Sequence, residues 1–194
     1  MTKQYKMRKG AMNLTSSEIV KLFAAIKMAY ESFTVGETDE NGVNMKVEMW
    51  AKALEDIDYK LAGKALQKHI LISKYPPTIA DIRENALTII QGEQITGAEA
   101  WDIFTRYINL YSTAEDYQRL KNDYPDIYNL VKQLGSKELL IGNVSFIRPE
   151  FERMYAENRE VLKTQAMLPE SFKRDVQRLR EGMYQQMLES GDEY

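Results

Sequence analysis

The sequence predicts an all-α protein. Apolar residues recur at steps of three and four in one segment after another, threonine and proline mark helix starts, and no segment alternates at the period of two that a half-buried strand needs. Thr15-Ser16-Ser17-Glu18 reads as a capping box, in which the threonine side chain accepts from the backbone N–H three residues on and the glutamate reaches back to the threonine N–H. A helix starting there carries Ile19, Leu22, Phe23, Ile26, Tyr30 and Phe33 on one face and runs into VGETDENGVN, whose glycines and Asx residues favour turns. Val47, Trp50, Leu54 and Ile57 space a second helix. Leu61, Ala62, Ala65, Leu66, His69 and Ile70 space a third, which Tyr75-Pro76-Pro77 ends. Thr78 opens a fourth with Ile79, Ile82, Ala86 and Ile89, closing this half near Ile90.

Gln91 to Gly97 lacks periodicity, holds two glycines and reads as the internal boundary. Beyond it, Trp101, Phe104, Ile108 and Tyr111 form another stripe. Tyr124-Pro125-Asp126 starts a helix with Ile127, Leu130, Val131 and Leu134, for which Gly135 is the C-terminal stop. Leu139 and Leu140 lead to Gly142-Asn143, after which Phe151, Met154, Tyr155 and Leu162 mark a longer segment and Pro169 opens a final one. The expected layout is a flexible basic leader over 1–13, a small N-terminal helical bundle over 14–90 and a linker over 91–97. A second helical region over 98–165 and a C-terminal amphipathic helix with its tail over 166–194 complete it.

Composition narrows the function. With 44% hydrophobic and 28% charged residues, the chain can build a core, and no run approaches the ~18 to 20 apolar residues of a membrane span. The absence of cysteine excludes disulfides, thiolate metal sites and thiol nucleophiles. The start MTKQYKMRKGAMN has basic residues but no apolar run behind them, so it is not expected to act as a signal peptide. Net charge is -3, and because Lys3, Lys6, Arg8 and Lys9 make the first twelve residues +4, the remainder is -7. An acidic body is poorly suited to neutralising the phosphates that dominate non-specific DNA affinity. The leader is read as solvated rather than as a phosphate-binding arm.

Catalytic signatures are missing as well. Gly63-Lys64-Ala65 has neither the upstream glycine nor the following hydroxyl of a phosphate-binding loop, so no nucleotide hydrolysis is expected. His69 is the one histidine, which rules out a multi-histidine zinc site, and it is read as a core-edge imidazole. No G-x-S-x-G elbow is present. Glu37, Asp39 and Glu40 do not follow the spacing of a calcium loop. The segment from Tyr75 to Ile90 invites a helix-turn-helix reading whose exposed residues would be Asp81, Arg83, Glu84, Asn85 and Thr88, a face too acidic for DNA. Trp50 and Trp101, in phase with aliphatic neighbours, are expected to pack in cores rather than stack on bases. No catalytic residue, cofactor or metal site is therefore expected.

The stretch WAKALEDIDYKLAGKALQKHILISKYPPTIADIRE, with Trp50, Asp56, Tyr59, His69, Pro76, Pro77, Ile79 and Ile82 in order, resembles the phage replicative helicase loader and inhibitor family. The resemblance is strongest from Leu14 to Leu87. It is looser through Ala100-Trp101, Tyr107, Tyr124-Pro125, Ile127, Val131, Leu134-Gly135, Leu139, Arg148, Phe151 and Tyr155. It implies a non-enzymatic adaptor in the host bacterial cytoplasm that holds a hexameric, DnaB-class replicative helicase and delivers it to an origin-bound initiator protein, with direct DNA contact weak or absent. The competing reading is an origin DNA-binding replisome organiser, which would need a basic face. The resemblance carries no contact residues to the C-terminal segment. There, Phe172, Val176, Leu179, Met183 and Met187 fall at steps of four, three, four and four on a helix rich in Arg, Gln and Glu. This stripe is the expected partner-binding surface, because methionines adapt to a partner and a helix laid in a groove is a common recognition mode.

Overall fold

The computed structural model describes residues 14–92 and 94–190, and among them it holds ten helices and no strand. The basic leader over 1–13 lies outside the described residues. The chain forms two compact units, one drawn from 6–92 with 166–194 and the other from 93–165.

The first unit holds α1 (Ser16–Ala29), α2 (Met45–Ala53), α3 (Tyr59–Ile72), α4 (Ile79–Gln91) and α10 (Glu170–Ser190). Thr15 and Glu18 close the capping box that starts α1, and hydrogen bonds from the Thr15 backbone and hydroxyl hold the Glu18 carboxyl below its ordinary range. Asn44 caps α2 by accepting from the amides of Lys46 and Val47 at 3.0 and 3.1 Å, and Asp58 caps α3. These polar fixings set where each helix starts, and the apolar stripes set how they pack. Ile19, Leu22, Phe23 and Ile26 of α1 meet Val47 and Trp50 of α2 and Ala62, Ala65 and Leu66 of α3, and Ile82 and Ala86 of α4 complete the core. The Phe23 ring lies edge-on to Trp50 and Phe33, with centroids 5.1 and 5.2 Å apart, a preferred aromatic geometry. The short α3–α4 connection around Pro76 and the buried Pro77 makes these two helices an antiparallel hairpin.

The second unit comprises α5 (Gly97–Tyr107), α6 (Ala114–Asp123), α7 (Pro125–Leu134), α8 (Ser136–Ile141) and most of α9 (Val144–Met167). Its core gathers Trp101, Phe104, Ile108, Leu120, Ile127, Leu130, Val131, Leu139, Phe151 and Tyr155. Tyr155 Oη donates to Asp126 Oδ2 at 2.9 Å and Arg159 pairs with the same carboxylate at 3.3 Å, which fastens α9 to α7. Burial, followed by the Asp126 charge, pushes the Tyr155 phenol well above its ordinary value.

Three local expectations change. The segment from 91 to 97 is not wholly linker: Gln91 ends α4, and Thr96 with Glu99 forms a further capping box that makes Gly97 the first residue of α5. A Cβ on Gly97 would sit 2.8 Å from the Glu152 carbonyl oxygen, so glycine is there to let α5 approach the backbone of α9, not to end a helix. The stripe from Trp101 stops at Ile108, since α5 ends at Tyr107 and Tyr111 is exposed in the turn that follows. Finally, α6 buries one side chain, Leu120, and so has almost no apolar periodicity to announce it.

Trp50→Ala is expected to cost about 3 to 5 kcal/mol, read by urea denaturation followed by circular dichroism, because the ring is buried against Phe23. Gly97→Ala, normally favourable inside a helix, is expected instead to destabilise by about 1 to 3 kcal/mol through overpacking. A Gly97→Ala protein as stable as the parent would mean that α5 and α9 do not approach this closely.

Candidate partner-binding site

The residues read as markers in the first half prove to be structural fixings. Arg83 is 6% exposed, and its guanidinium spans three segments: Nη1 and Nη2 bind the Asp56 carboxylate at 2.6 and 2.9 Å, Nη1 also donates to the Ala53 carbonyl, and Nε donates to the Met167 carbonyl. A bidentate arginine–carboxylate pair of this kind fixes orientation as well as distance. It secures the turn between α2 and α3 to α4, and the Met167 carbonyl to the same point. The sequence offered Asp56 as a family marker and Arg83 as an exposed residue of a recognition helix; their pairing across 27 positions had no local signal.

That recognition-helix face does not form. Arg83 and Asn85 are both buried, which leaves Glu84 and Thr88 exposed and Asp81 half-buried. Asp81 is held in the capping box of Thr78: burial raises its carboxyl, but hydrogen bonds from the Thr78 side chain and backbone, with the nearby His69, bring it net below its ordinary value. His69 is buried with its Nε2 3.0 Å from the Tyr75 carbonyl, an acceptor, so Nε2–H donates and ties the end of α3 to the Pro-Pro turn. Asp39, one of the acids considered as a cation ligand, uses its Oδ1 on the amides of Asn41 and Val43. Among the described residues, no three His, Cys, Asp or Glu gather as a metal site would require. Trp50 and Trp101 are both buried, out of reach of a nucleic-acid base.

The C-terminal stripe presents the opposite picture. Along α10, Phe172, Leu179, Met183 and Met187 are exposed, the last at 71%, and Val176 is half-buried; no described side chain of this helix is fully buried. The helix is supported by its own polar face, through Lys173 with Glu170 at 2.7 Å and Gln177 with Glu181 at 2.8 Å. Such pairs contribute a few tenths of a kcal/mol each, and the apolar face adds nothing until something covers it. A second exposed apolar group was missed. Ile70 and Ile89, expected in the core stripes, face solvent beside Leu71 and Ile72. The signal was available in the sequence: Lys60, Lys64 and Lys68 mark the outer face of α3, and Leu71 and Ile72 continue that face.

Among the described residues, then, the fold and these surfaces define an all-α protein with two partly uncovered apolar helix faces and no gathered catalytic group. Residues 14–83, a little over a third of the chain, match the family model for the N-terminal domain of the phage gene 39 helicase-loader protein; this stretch is that domain of the loader and inhibitor family, whose members are non-enzymatic adaptors for a replicative helicase. The match ends at Arg83 and leaves the resemblance drawn from Ala100 to Tyr155 without a counterpart. No curated protein and no solved structure matches the chain. Among the described residues, no helix is long and apolar enough to cross a membrane.

Asp56→Ala should destabilise the first unit by about 3 to 5 kcal/mol, since it strands a buried guanidinium, whereas loss of an exposed pair such as Arg178 with Asp175 should cost under about 1 kcal/mol. Chemical denaturation of both single variants checks the contrast; equal, small effects would mean that Arg83 is solvated.

Proposed function

We infer that the whole chain is a non-enzymatic phage DNA-replication adaptor: it binds a hexameric replicative helicase, restrains it, and delivers it to an initiator-bound origin in the host cytoplasm. The contact is made by α10 through Phe172, Val176, Leu179, Met183 and Met187. The observation that carries this reading is the exposure of that stripe on a helix with no fully buried described side chain. Apolar surface held open to water is costly, and its retention on a soluble helix marks an interaction surface. Gly182 within the stripe weakens the isolated helix by about 1 kcal/mol relative to alanine, as suits a segment that firms up in a groove.

An adaptor of this kind needs no nucleotide site of its own, and the sequence has no phosphate-binding loop. Energy for loading comes from the helicase. Direct origin recognition is disfavoured, because the arginine of the candidate recognition helix is consumed by Asp56 and the body beyond the first twelve residues is acidic.

Leu179→Ser with Met183→Ser should leave thermal unfolding within about 1 °C of the parent, since exposed substitutions away from cores are near neutral. The same change should abolish co-elution with the replicative helicase. Retained co-elution would move the contact elsewhere, and a collapsed melting transition would mean that α10 belongs to a core.

A further inference from the structure

The outer seam of the α3–α4 hairpin has an ordered chemistry. At the Ser73 end it is lined by Asp81, Glu84 and the buried Asn85; at its centre by Ile72, Leu71 and Ile89; and at its other end by Lys64 and Gln67, with Lys68 shared between the two hollows. Leu71 and Ile72 are 78% and 72% exposed. The order from one end to the other is acidic, apolar, basic.

The helix α10 carries the complementary order. Lys173, Arg174, Arg178 and Arg180 precede the exposed Met183, Tyr184 and Met187, and from Glu181 to the last residue the sequence has Glu189, Asp192 and Glu193 but no Lys or Arg. Lengths agree too: at 1.5 Å per residue, Arg178 to Glu189 spans about 17 Å of helix and Ser73 to Lys64 about 14 Å. We propose that the C-terminal half of α10 from a second copy of this chain lies along the α3–α4 seam, antiparallel to α3, and joins two chains as a reciprocal homodimer. In that arrangement, Met183 and Met187 cover Leu71 and Ile72, Arg178 faces Glu84, and the acidic end of the helix faces Lys64.

The same chain's α10 is the poorer occupant. Arg83, which binds the Met167 carbonyl, lies about 150° around α4 from the residues lining the seam, by the helical step of about 100° per residue. The three residues from Met167 to Glu170 extend at most about 10 Å, so each α10 is rooted on the far side of α4 from its own seam. The proposal does not depend on the helicase reading. Both would use the α10 stripe, however, so a dimer and a helicase complex would exclude each other.

Sedimentation velocity of the full chain over the micromolar range tests it. The parent is expected to show a concentration-dependent monomer–dimer equilibrium. Leu71→Ser with Ile72→Ser, whose melting should match the parent because both side chains are exposed, is expected to weaken dimerisation at least about tenfold. The discriminating arm is a charge exchange: Glu84→Arg alone and Arg178→Glu alone should each be monomeric, and mixing the two should restore the dimer, since each seam then meets a complementary helix. A parent that stays monomeric throughout, a seam variant that dimerises like the parent, or an unrestored mixture overturns the proposal. A monomeric parent whose seam variant loses helicase co-elution also overturns it and assigns the seam to the helicase.

Discussion

The first unit depends on one buried cation. Arg83 satisfies its guanidinium with a carboxylate and two main-chain carbonyls drawn from the α2–α3 turn and the residues just before α10. Apolar packing alone tells α1 to α4 to associate but leaves their ends free to slide, because dispersion and burial are non-directional. The arginine adds direction. It selects one position of α4 relative to the α2–α3 turn, and this in turn settles which residues of the α3–α4 hairpin face inward. With Arg83 and Ile82 turned inward, Asp81, Glu84 and Thr88 must line the outside. A buried pair of this kind is not itself a large source of stability, since desolvation offsets most of the attraction, and its value lies in the arrangement it enforces.

Function follows from what that arrangement leaves uncovered. The two cores are well filled with aromatic and aliphatic side chains, while α10 ends the chain with its apolar stripe open and its helix supported only by pairs along its own polar face. A rigid bundle bearing a marginal, adaptable helix is a physically sensible adaptor: the bundle is stable without a partner, and the helix gains most of its stability from one. The domain matched by the family model, residues 14–83, is the rigid part. The helix proposed to meet the helicase lies beyond it, which accounts for a family likeness confined to packing residues and turn formers.

Much of the fold was legible because local and tertiary signals agree. The Thr15–Glu18 box, the Pro76-Pro77 stop and the stripes through Trp50 and Trp101 each specify one boundary or one face, and the structure uses them as written. The misses have physical causes. Thr96–Glu99 is as good a cap as Thr15–Glu18, but two neighbouring glycines made its surroundings read as linker, and the need of Gly97 for close approach to Glu152 is a tertiary fact. The short helix α6 buries too little for periodicity to detect. The Arg83–Asp56 pair joins residues 27 apart, and no spacing rule announces it. The surplus apolar residues Leu71 and Ile72 were in plain view on the lysine face of α3, but apolar periodicity finds cores more readily than it finds surfaces.

The division of labour between a fixed bundle and a helix that firms up on its partner is tested most directly by amide hydrogen exchange of the full chain with and without the replicative helicase. Without helicase, the amides of α1 to α4 around the core should exchange slowly and those of α10 rapidly, because no described side chain of α10 is fully buried. With helicase bound, protection should rise across residues 170–190 and remain unchanged at the core of the bundle. Protection that appeared in α1 to α4 while α10 continued to exchange as in the free protein would contradict the account.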